Sequence, residues 1–256
     1  MPATATRKKK PPRAGPGRPR ADANGPSLGR DRILHAALAL IGEKGLANFG
    51  IRDLAAALGV FPAAIYWHVP NREALVAGAI GIALEGVADD LPAGDWQLRL
   101  GALLRKFRAA LRRHPTLAPA VASQLAYNAA FDAPLLEHVV AALEDARFEG
   151  DALVDAFNVV IAAMCGFATL ELSTAPDGAD ASWEADCRAR IDAIDPLHHP
   201  RLGEHAATLR NRTFLLRWSS GQERPLDSSF DAWVDVVLRG LESRSRALRR
   251  MTPRAR

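Results

Sequence analysis

The sequence predicts an all-α protein with a small N-terminal domain of three helices and a larger C-terminal helical domain. Of its 256 residues, 48% are apolar and only 6% are aromatic, with alanine and leucine prominent. That composition favours packed helices over a sheet. Apolar residues recur three and four positions apart over most of the chain, and we find no segment with the alternation of a strand.

Caps, glycines and prolines set the expected boundaries of each helix. In order, the pattern predicts helices over about 28–44, 51–58, 62–68, 73–90, 96–113, 116–124, 135–143, 151–173, 182–194, 201–218 and 228–248. Ser27 is the expected cap of the first, and residues 175–200 are expected to form a surface insertion. We divide the chain into an arm (1–27), a three-helix domain (28–72), a body (73–249) whose helix 73–90 is the connector, and a tail (250–256).

Residues 51–72 are the most informative segment, Ile-Arg-Asp-Leu-Ala-Ala-Ala-Leu-Gly-Val-Phe-Pro-Ala-Ala-Ile-Tyr-Trp-His-Val-Pro-Asn-Arg. Gly59 is expected to end the first short helix, because glycine takes a positive φ without steric cost. Pro62 suits the first turn of the next helix, where its missing N–H needs no partner. Two short helices joined by a tight turn, the second small and sparsely charged, predict a helix-turn-helix that enters the DNA major groove.

The string Leu-Gly-Val, followed by Tyr-Trp-His-Val-Pro-Asn-Arg and a leucine three residues later, resembles the DNA-binding domain of the tetracycline-repressor (TetR) family. The resemblance is strong over residues 29–76 and extends over the rest only as a helical pattern. It implies a C-terminal ligand-binding and dimerisation domain. The implied function is that of a homodimeric transcriptional repressor, which a small-molecule effector releases from a near-palindromic operator in double-stranded DNA.

The resemblance implies DNA contacts at Arg52, Pro62, Ala63, Ala64, Tyr66, Trp67, His68 and Arg72. The alanines would face bases, the aromatic triplet would contact the sugar–phosphate backbone, Arg52 would reach a phosphate or a base edge, and Arg72 would bind a phosphate. Gly50 and Phe61 depart from the family, which usually has polar caps there. Alanine favours a thymine methyl group and cannot pair with guanine, so we expect an operator unlike the well-known ones.

Charge is distributed unevenly along the chain. Residues 1–20 carry seven basic side chains and residues 244–256 carry six, with no acid in either segment. Subtracting them from the formal net charge of +4 leaves −9 for residues 21–243. The N-terminal arm has no apolar period and is expected to stay disordered until a partner binds it. Its Gly-Arg-Pro-Arg segment resembles the core of an AT-hook, which would place Arg18 and Arg20 in a minor groove. The C-terminal tail is more simply a solubilising segment.

The body is expected to hold an apolar cavity for the effector. Candidate lining residues are Leu103, Phe107, Leu111, His114, Val121, Leu125, Asn128, His138, Phe157, Asn158, Ile161 and Cys165. Plain core packing is the alternative for each. The resemblance places the family's tetracycline–magnesium ligands near Ala88, Leu103 and Val121, none of which can chelate a metal. We therefore expect an effector other than tetracycline.

The last two long helices are expected to form the dimer interface that the resemblance implies, as half of a four-helix arrangement. The candidate contacts, taken from their apolar faces, are Val160, Met164, Phe167, Phe230, Trp233, Val237 and Leu241.

Other classes of protein find little support. We see no nucleophile with a partnered base, no paired carboxylates, no phosphate-binding loop and no metal-ligand spacing, so neither an enzyme nor a bound cofactor is expected. We also see no stretch approaching the length of a membrane span and no signal-peptide core, which predicts a cytoplasmic protein without a membrane partner. The remaining alternative is a ligand-blind DNA-binding regulator or activator of the same fold, in which the apolar body serves only for dimerisation.

Overall fold

The computed structural model describes residues 28–126, 132–175 and 179–251, and over these ranges it contains eleven α-helices and no strand. The helices are α1 (Arg30–Lys44), α2 (Ile51–Leu58), α3 (Pro62–Tyr66), α4 (Arg72–Leu84), α5 (Trp96–Arg113), α6 (Ala118–Ala126), α7 (Ala133–Asp145), α8 (Gly150–Glu171), α9 (Ala181–Asp192), α10 (Pro200–Leu209) and α11 (Asp227–Met251). The all-α prediction is confirmed. Ser27, Arg18, Arg20 and Asn128 lie outside the described residues.

Helices α1 to α3 form the small N-terminal domain around a shared apolar core. Ile33, Leu54 and Ile65, one from each helix, are all fully buried. Gly59 ends α2 with φ 68°, and its N–H points back to the carbonyl groups of the preceding turn. This is the left-handed residue that the sequence requires there. α3 stops at Tyr66, two residues earlier than expected.

Helix α4 connects this domain to the body. The Asn71 side chain caps it by accepting a hydrogen bond from the Ala74 N–H at 2.7 Å. At Gly78 the helix touches α1 so closely that a β-carbon there would lie 2.4 Å from a methyl group of Leu34. The Leu34 side chain of α1 therefore packs directly on the backbone of α4. It ends at Leu84 and not near residue 90, because Gly86 follows with φ 75°.

The body is built from α5, α7, α8 and α11, with α6 packed on α8. Phe107, Val139, Val160 and Leu241, one from each of the four main helices, are buried in its core. A 3-10 turn, Pro115–Leu117, leads from α5 to α6 and contacts α1. Helix α9 buries no residue, which agrees with the surface insertion expected over 175–200, and α10 after it also buries none.

A buried ion pair ties the body together. Arg108 donates from Nε and Nη2 to the two carboxylate oxygens of Glu171, at 2.7 and 2.5 Å. Its Nη1 lies 2.8 Å from Asp227 at the start of α11, and Glu171 also accepts the Leu226 N–H at 2.8 Å. Burial would lower the pKa of Arg108, but the hydrogen bonds to Glu171 and Asp227 outweigh it and raise that pKa. The pair therefore joins α5 and α8 to the N-terminus of α11.

Two expectations about the body are wrong. The helix expected over 201–218 ends at Leu209, because Asn211 turns the chain with φ 53° and its side-chain oxygen accepts the N–H groups of Trp218 and Ser219. The expectation that no stretch reaches the length of a membrane span fails for α8, whose most apolar 18-residue window has a mean hydropathy of 1.9. The core helix of a soluble protein passes the same test, and α8 packs against α5, α6, α7 and α11.

Candidate DNA interface and effector cavity

The second helix of the helix-turn-helix presents an unusual amount of apolar surface. Phe61, the residue before α3, is 83% exposed, and Trp67, the residue after it, is 87% exposed. Ile65 and Val69 are buried and hold the helix against the domain core. The exposed side chains are thereby turned to solvent on the face expected to meet DNA.

The remaining candidate DNA contacts fall into two groups. Arg52, Ala63, Tyr66 and His68 are exposed, whereas Pro62 and Ala64 are half-buried. All six belong to α2, to α3 or to the turn that follows α3. The helix-turn-helix thus brings them together on one small domain, and their contacts with DNA stay a prediction.

Arg72 makes contacts that the sequence did not suggest. Its Nε donates to the Phe49 carbonyl at 3.1 Å and its Nη2 donates to the Leu46 carbonyl at 2.6 Å. The guanidinium also lies 5.9 Å from the centre of the Phe49 ring. Arg72 therefore holds the loop between α1 and α2 against the start of α4, and its contact with a phosphate stays a prediction.

The body contains a narrow, partly enclosed cavity of about 100 Å³. Its walls come from α4 to α8 and consist of Leu84, Phe107, Leu125, Asp132, Leu135, Leu136, Phe157, Ile161, Met164 and Cys165. Nine of these ten residues are apolar, counting the cysteine as a small hydrophobe, and the tenth is a carboxylate. The apolar lining suits a hydrophobic molecule, and the narrow space suits a small one.

Five of the twelve candidate effector contacts line this cavity, namely Phe107, Leu125, Phe157, Ile161 and Cys165. Three of the others, Leu103, Leu111 and Val121, are buried in the core away from it. His138 and Asn158 are wrong as cavity residues because both are exposed at the surface. His114 is half-buried at the end of α5 and does not line the cavity; burial and then the charge of Arg113 lower its pKa.

Sequence reasoning missed Leu84, Asp132, Leu135, Leu136 and Met164 as cavity residues. The apolar pair on α7 was visible in the helical pattern, and so was Asp132 as the cap before a proline. The Asp132 carboxylate accepts the Leu135 N–H at 3.1 Å and so caps α7. The sequence pattern did not indicate which side of α7 faces the cavity between the helices.

Asp132 and Leu84 also line a second, open cleft that adjoins the cavity and runs between α1, α4 and the start of α7. The charged residues along this cleft are Arg30, Asp31, Glu73 and Asp132. Three of the four are acids. A molecule reaching the cavity by this route therefore passes a surface that attracts cations and repels anions.

The position of Cys165 makes its thiol unreactive. It is buried, and burial raises the pKa of its thiol to about 11. The thiolate is the reactive form of cysteine, so the side chain serves as a small apolar part of the wall.

The expected dimer contacts need correction. Val160, Met164, Phe167, Phe230, Val237 and Leu241 are all buried within the core of the single chain, so they are wrong as interface residues. Only Trp233 keeps an exposed surface, at 37%. The periodicity identified the inner faces of α8 and α11. The outer faces carry different apolar residues, namely Val154, Val159, Leu170 and Val236, each between 47% and 63% exposed.

Comparison with known proteins places this arrangement in a family. The family described as "Bacterial regulatory proteins, tetR family" matches residues 33–79, and the family described as "Tetracyclin repressor-like, C-terminal domain" matches residues 88–213. Tetracycline repressor protein class D of Escherichia coli is 38% identical over 90 residues, which are 34% of this chain and 41% of that protein. The repressor DrrR1 of Streptomyces coeruleorubidus is 33% identical over 98 residues, 36% of this chain and 35% of that protein. The chain thus matches about two fifths of the length of these relatives.

Solved structures share the whole fold at low sequence identity. ActR of Streptomyces coelicolor, in complex with (S)-DNPA, superposes with a TM-score of 0.65 at 18% identity, covering 86% of this chain and 100% of that one. BioQ, known from Mycobacterium smegmatis and solved with its double-stranded DNA operator, gives a TM-score of 0.54 at 18% identity, covering 85% and 99%. Because one family accounts for the helix-turn-helix domain and for most of the helical body, this chain belongs to the TetR family of regulatory proteins.

Proposed function

We propose that this protein is a cytoplasmic, homodimeric transcriptional repressor, not an enzyme, which a small hydrophobic effector releases from a near-palindromic DNA operator. One observation carries the proposal: a single helix, α4, joins the exposed helix-turn-helix to the wall of the partly enclosed cavity, which it lines through Leu84. The relatives named as repressors, the neighbour solved with its operator and the neighbour solved with a small molecule support the two halves of this function.

The packing of α4 suggests how the two sites communicate. An effector that displaces Leu84 pushes on the last turn of α4. Because Gly78 holds α4 directly against Leu34 of α1, the helix-turn-helix moves with α4. In a dimer, such a movement changes the distance between the two helix-turn-helix domains. That distance must match DNA half-sites that lie one helical turn apart. Binding of the effector then weakens binding of the operator, and the reverse, by the same coupling free energy between the two sites.

The walls of the cavity define the chemistry of the effector. It is hydrophobic, and it is neutral or positively charged, since Asp132 is the one charged group in the cavity wall among the described residues. An anion would give up hydration against apolar walls and meet a like charge at the mouth. The acids of the adjoining cleft act in the same direction.

Footprinting on genomic fragments that flank the gene tests the DNA function. The expected result is protection of an inverted repeat by the dimer. Protection of one asymmetric half-site by a monomer would overturn the proposal.

Thermal unfolding with three naphthalene probes of similar size tests the effector class, because a ligand of the folded state raises the melting temperature. We expect 2-naphthylmethylamine to stabilise the protein more than 2-naphthalenemethanol, because the Asp132 carboxylate attracts its ammonium group, and 2-naphthoate to have no effect. In Asp132→Asn, which keeps the oxygen that caps α7, the advantage of the amine over the alcohol should vanish. Ile161→Trp should fill the cavity and abolish all shifts while operator binding persists. Stabilisation by the anion would contradict the assigned chemistry, and stabilisation by the probes in the filled variant would contradict the assigned cavity.

The outer faces of α8 and α11 are the proposed dimer interface. Val159→Glu and Val236→Glu each place a charge on an exposed apolar position of these helices. Both variants are expected to shift the protein toward monomer in sedimentation experiments, since a buried unpaired charge is costly. Leu197→Glu is the matched control, because Leu197 is 90% exposed and lies on neither helix. Equal dissociation in all three variants would argue against this interface.

A further inference from the structure

We infer that the protein selects its operator partly through the methyl groups of thymine bases. Phe61 and Ala63, at the start of α3, are the residues that contact them. The inference rests on the proposed function, because it requires that α3 enter the major groove. It goes further by naming the chemical feature of DNA that this chain recognises.

The first turn of α3 has no side chain that can form a hydrogen bond. It consists of Pro62, Ala63 and Ala64, and Phe61 precedes it as the N-cap; the proline also lacks a backbone N–H. Phe61 and Ala63 are exposed, and Pro62 and Ala64 are half-buried. The buried Ile65 fixes which side of the helix faces inward. The side chains at this end of α3 are therefore all apolar.

The base edges in the major groove are mostly polar. Guanine, cytosine and adenine present hydrogen-bond donors and acceptors there, and thymine alone adds a methyl group. An apolar side chain placed over a donor or acceptor displaces water and leaves the group unpaired, which is unfavourable. Over a thymine methyl group the same side chain gains contact area. The match between the two apolar surfaces thus disfavours guanine and cytosine beneath the first turn of α3.

The size and exposure of Phe61 strengthen the argument. An aromatic ring that is 83% exposed gains much from being covered, and its position before α3 is where the family usually has a polar cap. Residues elsewhere in the domain, such as Arg52 and His68, can still form polar contacts to phosphates or to bases. The inference therefore applies to the base pairs beneath Phe61 and Ala63 and not to the whole operator.

Deoxyuridine substitution in the operator tests the inference directly. Once footprinting has defined the inverted repeat, each thymine is replaced in both half-sites by deoxyuridine, which keeps base pairing and all polar groups and removes only the methyl. Burial of one such carbon is worth about 0.8 kcal/mol, or about fourfold in affinity. We expect one symmetric pair of thymines per operator, or more, at which the substitution weakens binding about sixteenfold.

Variants assign the effect to the residues. Phe61→Ser and Ala63→Ser should lose most of the discrimination between thymine and deoxyuridine, and their melting temperatures should stay unchanged because both positions are exposed. Leu197→Ser is the matched control and should retain full discrimination. Specific binding to an inverted repeat that is indifferent to every deoxyuridine substitution would overturn this inference and leave the proposed function intact. Discrimination that persists unchanged in both serine variants would also overturn it. If no genomic fragment binds specifically, the proposed function itself fails.

Discussion

Replacing Arg72 separates two roles that this side chain could have. The family resemblance predicts a phosphate contact, whereas the structure has the guanidinium bonded to the carbonyl groups of Leu46 and Phe49. We expect the second role to dominate. Arg72→Ala should then destabilise the helix-turn-helix domain and weaken DNA binding chiefly because the loop between α1 and α2 loses its brace.

The structure sets the size of the effect. A hydrogen bond from a charged donor contributes about 1.5–3 kcal/mol. Arg72 is half-buried, so water can replace it at both carbonyls in the variant, and the lower end of that range applies to each bond. The expected loss is therefore about 3 kcal/mol. For a chain of this size, each kcal/mol corresponds to about 2–4 °C in the melting temperature.

Thermal unfolding and DNA titrations at several salt concentrations together distinguish the two roles. Arg72→Lys is the key comparison, since lysine keeps the charge but lacks the planar fork that reaches two carbonyls at once. A brace predicts that both variants lose stability and that the salt dependence of binding is unchanged. A phosphate contact predicts that alanine lowers the log–log slope by about 0.9 whereas lysine preserves it. An unchanged melting temperature in Arg72→Ala would refute the bracing role.

Three further predictions follow from the body and the arm. Glu171→Ala should lower the free energy of unfolding by about 3–5 kcal/mol, because it leaves Arg108 buried without its main counter-charge. Replacing both residues with methionine should cost clearly less. Equal losses in denaturant titrations would contradict this. Burial raises the pKa of the Cys165 thiol from 9.0 to about 11, so the folded state holds this proton more tightly than the unfolded state. The contribution of the Cys165 thiol to stability should be complete below pH 9 and fall as the pH rises toward 11. Alkylation of native Cys165 should be slow at pH 8, and rapid alkylation there would argue against the assigned burial. Deleting residues 1–26 should flatten the salt dependence by about 0.9 for each cation that neutralises a phosphate, and should remove any preference for A·T flanks if Arg18 and Arg20 enter the minor groove; an unchanged slope would show that the arm only aids solubility.

Local signals in the sequence were enough to predict the helix-turn-helix. The left-handed turn at Gly59 and the cap at Asn71 each depend on one residue and its immediate neighbours, so both could be predicted. The turn at Asn211 was missed, although asparagine is the non-glycine residue that most readily takes this conformation. The brace from Arg72 could not be seen, because its acceptors are carbonyl groups of a loop more than twenty positions away.

The cavity and the interface depend on relations between helices that periodicity does not contain. A helical pattern of apolar residues identifies the face turned inward, but it does not say where neighbouring helices fail to meet and leave a space. Met164 illustrates this, since it was assigned to the interface and lines the cavity. Leu103 was assigned to the cavity and belongs to the solid core.

The composition of α8 shows how one property can serve several purposes. By length and hydropathy the helix could span a membrane, yet only 39% of its most apolar window is buried within the chain. One face packs in the core through residues such as Val160. The opposite face leaves Val154, Val159 and Leu170 about half exposed. Its C-terminal Glu171 is paired with Arg108 inside the protein, an arrangement that fits a helix held in a packed body. An apolar helix with one face in the core and one uncovered is what a pairing of two subunits requires, so the hydropathy of α8 supports the dimer interface proposed above.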